Sequence, residues 1–103
     1  GSILAWTRDF AFDRQNHSLS VHDVCSVASG VRPIFQVQVP VLPVVQVDGS
    51  VVAGNLRIVS ALPVNVRIVS MASVDSAEWS RGYRIELTSA SNICEFQVQL
   101  LAQ

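Results

Sequence analysis

Lysine is absent from this chain of 103 residues, and all of its basic side chains are arginine. Charge of either sign is scarce, at 15% of residues, against roughly 25% in ordinary soluble domains. With a net charge of -1 and the two signs interspersed, no strong field draws the chain to DNA, RNA or an anionic membrane. Nucleic acid is therefore not an expected partner. Arginine alone suits planar, bidentate contacts to carboxylate or sulfate, although genomic base composition is the simpler reading. The surface is under-charged for a free-living protein.

Other absences narrow the field further. No apolar run approaches the roughly 18 residues that would span a bilayer, and no basic-then-apolar leader opens the chain, so a soluble chain is expected. Nothing Gly-rich follows a strand and opens a helix, which leaves a phosphate cradle unsupported. No serine sits in a nucleophile elbow. The two cysteines, Cys25 and Cys94, are too few for a disulfide framework or a metal spacing. One disulfide is open to them; two buried free thiols, acting as small core residues, are the expectation. Gly1 and Ser2 read as an expression remnant, which leaves residues 3–103 as one domain cut from something longer, able to bury about two thirds of its unfolded surface.

What is present is alternation with period two. "WTRDFAFD" puts Trp6, Arg8, Phe10 and Phe12 on one side and Thr7, Asp9, Ala11 and Asp13 on the other, as a half-buried strand requires. Turn residues around Asn16 follow, and "SLSVHDV" resumes the alternation, so the opening reads as a hairpin. "IFQVQV" sets Phe35, Val37 and Val39 against Gln36 and Gln38. Pro40 and Pro43 cannot donate to a ladder, so the stretch between them is an edge, a bulge or a crossing between sheets. Asp48-Gly49 within "VVQVDGSVV" is the strongest hairpin signal in the chain.

"RIVS" occurs twice, from Arg57 and from Arg67, and reads as two similar strands around a turn near Pro63. "VDSAEWSRG" is the longest loop candidate; "YRIELT" and "ICEFQVQLL" alternate again. No window sustains a helical period with caps. Short strands at intervals of about 8 to 12 residues point to an all-β fold, an antiparallel β-sandwich of about eight strands.

Candidate chemistry is thin. His17 and His22 can serve as bases or metal ligands, but no third ligand stands at a suitable spacing, and a turn histidine and a strand-surface histidine are expected. Asp9, Asp13 and Asp23 fall short of a calcium ligand set and read as solvated or paired with Arg8 and Arg14. No metal or other cofactor is expected. "EWSRGYR" is the richest constellation: Trp79 can stack on the apolar face of a sugar, while Arg81 and Arg84 can fork onto a carboxylate or sulfate. Tyr83 can donate a proton where its surroundings lower its pKa. Trp79, Arg81, Tyr83 and Arg84 are thus the glycan-contact candidates, against the plainer reading of a pinned loop, a strand start and surface arginines.

The order of these elements resembles the C-terminal β-sheet region of heparinase II/III-like polysaccharide lyases. The resemblance rests on "TRDFAFDRQNHSLSVHDV", "IFQVQVP", "VDGSVVAGNLRIVS", and the closing pair "GYRIELTS" and "EFQVQLLAQ", and it spans nearly the whole chain. It implies a bacterial parent enzyme, periplasmic or secreted, in which an α/α toroid packs on a sheet domain and uronic-acid polysaccharides are cleaved by β-elimination. In that chemistry a base takes the proton beside the uronate carboxylate, a second group neutralises the carboxylate, and a tyrosine-type acid assists the leaving oxygen. None of the quoted segments is a catalytic motif. His17, His22 and Tyr83 match no catalytic position of that family, and no metal ligands match either.

The expectation is therefore a non-catalytic module that supports the toroid of its own parent chain and contacts the anionic glycan, a glycosaminoglycan for instance, through arginine. A free-standing carbohydrate-binding module and an adhesion or assembly domain using an uncharged edge strand are the rival readings. Residues 35–47 hold no charged side chain, which suits a face covered at low desolvation cost by the missing part of the parent. The competing account makes this stretch a central strand buried on both sides, with every glutamine hydrogen-bonded inside.

Overall fold

The computed structural model describes residues 3–71, 82–91 and 93–103. Among them, nine strands form two antiparallel sheets: β1 (Ile3–Asp13), β2 (Ser18–Val27), β3 (Ile34–Val39), β4 (Val44–Val45), β5 (Val51–Ala53), β6 (Leu56–Ser60), β7 (Val64–Ser70), β8 (Tyr83–Ser89) and β9 (Glu95–Ala102). The larger sheet has the order β1-β2-β9-β6-β5-β4 and the smaller one β3-β8-β7. The fold is the antiparallel sandwich that the two-residue period demands. No helix of the described residues is long and apolar enough to cross a membrane.

Alternation decides which side chains meet. Val21, Phe96, Val98, Ile58, Val51 and Ala53 from the larger sheet are buried against Phe35, Val39, Ile85 and Leu87 from the smaller one. The Phe35 and Phe96 rings lie 5.8 Å apart across the gap, tilted by 42°, a favourable aromatic arrangement. Full burial of each large apolar side chain contributes about 1.5–3 kcal/mol. Three strands cover only the middle of six. On the inward side of β1, Phe10 and Phe12 consequently remain 64% and 67% exposed.

The uncharged stretch 35–47 resolves into a crossing. β3 is an edge of the smaller sheet, with Phe35 and Val39 buried and Gln36 and Gln38 exposed; the chain then passes Pro40 and Pro43 and enters β4, the far edge of the larger sheet. The central-strand account is thereby excluded. Asp48-Gly49 closes the β4–β5 hairpin, as its turn chemistry predicts: Gly49 takes a φ of 89°, and the Asp48 carboxylate accepts from the Ser50 N–H and hydroxyl at 3.0 and 2.7 Å.

The "RIVS" copies are two strands flanking a turn at Pro63, as expected; β6 belongs to the larger sheet and β7 to the smaller, so the turn is a crossover between sheets. One expectation is corrected. The cysteines are not free thiols: Cys25 and Cys94 form a disulfide, with Cα atoms 5.1 Å apart. Register is the cause. Val24 pairs with Glu95 in the β2–β9 ladder, so the next step brings Cys25 opposite Cys94, and the Cys25 N–H donates to the Cys94 carbonyl at 2.9 Å. That Cα separation lies inside the usual bridging range.

Candidate functional site

Strand β8 carries the described part of the "EWSRGYR" constellation. Consecutive strand residues point to opposite faces, and this separates Tyr83 from Arg84. Tyr83 packs partly buried against the core. Arg84 stands on the outer face of the smaller sheet, where its Nε lies 2.9 Å from Glu86 Oε2. The charges attract at that distance, but the N–H is misdirected, and the buried Nε has no hydrogen-bond partner. Trp79 and Arg81 lie outside the described residues.

Glu86 was not singled out by sequence reasoning, and it proves to be the centre of this face. Its side chain is only 7% exposed, and Arg67 of neighbouring β7 approaches it at 3.7 Å, directly opposite in the ladder. Two guanidinium groups thus share one carboxylate. Among the described residues the surplus positive charge sits on Arg67, the more exposed of the two arginines. The signal was present in "YRIELT", where period two puts Arg84 and Glu86 on one side; which strand would lie beside them was not readable.

The outer face of the larger sheet holds the second polar group. His22 Nε2 and Glu95 Oε2 are 2.6 Å apart, and the Gln97 amide donates to the same oxygen at 3.3 Å. The hydrogen bond with His22, followed by that of Gln97, holds the Glu95 carboxyl below its ordinary range. Ser20, His22, Val59, Ala61, Gln97 and Gln99 line a shallow depression of about 430 Å³ beside this pair. His17 occupies the β1–β2 turn with a φ of 49°, and His22 is a strand-surface residue, as expected of each.

Asp23 takes the paired alternative expected for the hairpin carboxylates, with Arg8 as its partner. It is fully buried and receives Arg8 Nε and Nη2 at 2.7 and 2.6 Å. The same guanidinium lies 5.2 Å from the Phe35 ring centre and 6.0 Å from that of Phe10. The carboxylate raises the Arg8 pKa, mainly by accepting its hydrogen bonds. Asp13 instead caps its own turn, accepting from the Asn16 and Gln15 N–H groups.

A β-elimination site needs a base, a neutralising group and an acid around one sugar. His22 lies on the outside of the larger sheet, Arg84 on the outside of the smaller sheet, and Tyr83 against the core between them. These three do not converge. Among the described residues no group of three His, Cys, Asp or Glu side chains is placed to hold a metal ion. No family model matches the chain, and neither a curated protein nor a solved structure does.

Proposed function

We propose that this chain is a non-catalytic β-sandwich module of a polysaccharide lyase of the heparinase II/III-like kind, supporting the catalytic toroid of its parent. The observation that carries the reading is the apolar ridge along the β3–β4 crossing and the β4 edge. Val41, Leu42, Val44, Val45 and Val47 are all exposed there in a stretch without one charge. Exposed apolar side chains concentrated in one uncharged stretch are expected where another protein surface covers them. The dispersal of His22, Tyr83 and Arg84 supports the non-catalytic part.

Contact with the anionic glycan falls to the open face of the smaller sheet. Arg67 and Arg84 there share Glu86, and a guanidinium in excess of its carboxylate suits a uronate or sulfate. The test is the full-length parent carrying Leu42→Asp and Val45→Asp. The expected result is a lower unfolding temperature with kcat/KM nearly unchanged below the transition. Lost turnover in an equally stable parent contradicts the supporting role.

A further inference from the structure

We propose that the β1 edge is a self-complementary interface at which two copies of this chain pair into a continuous twelve-stranded sheet. Strand β1 runs for 11 residues and, among the described residues, has a neighbour on one side only. Its other side is a row of backbone donors and acceptors open to a further strand. Natural edges are usually guarded by charged side chains, lysine above all, by proline, by bulges or by an unpaired inward charge; the charges of β1 are Arg8, Asp9 and Asp13. Here the strand contains neither lysine nor proline, and its single irregularity falls at the start, between Ile3 and Ala5. The inward charge, Arg8, is neutralised by Asp23.

Charge and the exposed rings together set the register. Two antiparallel copies related by a two-fold axis normal to the sheet place the residue on the axis opposite itself, and its neighbours pair symmetrically. An axis at residue 8 opposes Arg8 to Arg8, and one at residue 9 opposes Asp9 to Asp9. Centring on residue 11 opposes Asp9 to Asp13 and Arg8 to Arg14. Like charges directly opposite are destabilising. With the axis at Phe10, that ring meets its own copy, Arg8 meets Phe12, Asp9 meets Ala11 and Thr7 meets Asp13. No like charges oppose in this register; axes at residues 6, 7 and 12 also escape them, but only the Phe10 axis finds partners within β1 for both exposed rings. It also sets the two exposed rings, Phe10 and Phe12, beside aromatic and cationic neighbours on the inward face, where such contacts are favourable.

Sedimentation equilibrium tests the pairing on the full chain. The expected mass at high concentration is twice the 11.2 kDa of one chain. Phe10→Lys, which sets two ammonium groups on the axis, returns it to the single-chain mass, while Val45→Lys on the opposite edge leaves the dimer intact. Ala11→Arg, facing Asp9 of the second copy, tightens association several-fold, and Ala11→Glu loosens it. A monomer at every concentration overturns the proposal, as does a dimer indifferent to Phe10→Lys or one dissociated by Val45→Lys. Equal or reversed effects of the two Ala11 variants overturn the register.

Discussion

Arg8 grips the fully buried carboxylate of Asp23 through two hydrogen bonds, while its own side chain remains 42% exposed between the Phe10 and Phe35 rings. The guanidinium thus spans from Asp23 of the larger sheet to Phe35 of the smaller one. Removing one partner of a buried pair strands the other charge. Arg8→Ala is expected to cost about 2–4 kcal/mol, less than a wholly buried pair because water reaches the guanidinium. Urea unfolding measures it. The double variant Arg8→Leu with Asp23→Leu should recover most of the loss, and failure to recover would show that the pair itself, and not the stranded carboxylate, dominates.

The disulfide clamps β2 to the start of β9 across a separation of 69 residues. A loop of that length gives about 4 kcal/mol in the chain-entropy account, and measured values are usually about 2–4 kcal/mol. Thermal unfolding with and without reductant should show a matching drop. The native chain should take up no thiol label until it is reduced; labelling beforehand would mean that the bridge is absent.

Two glycines separate backbone strain from crowding. Gly49 has a φ of 89° with nothing near a prospective Cβ, whereas at Gly82, with a φ of 102°, a Cβ would stand 2.7 Å from the Val39 carbonyl oxygen. Gly49→Ala should therefore cost only the left-handed conformation, about 1–2 kcal/mol. Gly82→Ala should cost more, because β3 must also move. Equal losses in chemical denaturation would contradict the close approach.

Acid should weaken the fold through three carboxylates. Asp13 is held low chiefly by the Asn16 N–H, Asp48 by the Ser50 hydroxyl and Glu95 by His22. A carboxyl whose folded pKa is depressed stabilises above its unfolded value, and that stability is lost as pH falls through the folded one. The unfolding temperature should thus decline from about pH 4.5 downward, the ordinary Glu value being the upper limit of the window. Glu95→Gln should flatten the upper part of the decline. A variant that follows the wild-type curve would contradict the His22–Glu95 contribution.

Much of the architecture was readable from residue types alone. Trp6, Val21, Phe35, Val37 and Phe96 each fall on the face that period two assigns them, and Asp48-Gly49 turns where its chemistry requires. Sheet membership was not readable. Nothing in the two "RIVS" copies tells that one strand crosses to the other sheet, because the alternation is identical in either arrangement. The same gap hid the Cys25–Cys94 bridge and the place of Glu86 between Arg67 and Arg84, since each depends on which strands become neighbours. Local pattern did separate Tyr83 from Arg84: adjacent strand residues cannot share a face.

Glycan contact has its own check on the open face of the smaller sheet. Arg67→Gln should shorten retention on immobilised heparin, at low salt above all, because an exposed charge is screened within roughly 10 Å at 0.1 M. Arg32→Gln, away from Glu86, should leave retention nearly unchanged. Equal effects would indicate only diffuse attraction.

The supporting, non-catalytic role is tested most directly by incubating the isolated chain with heparin, heparan sulfate and alginate and following the ultraviolet absorbance of unsaturated uronate products. The account predicts no rise above the buffer rate. Sustained product formation at an enzyme-like rate would contradict it.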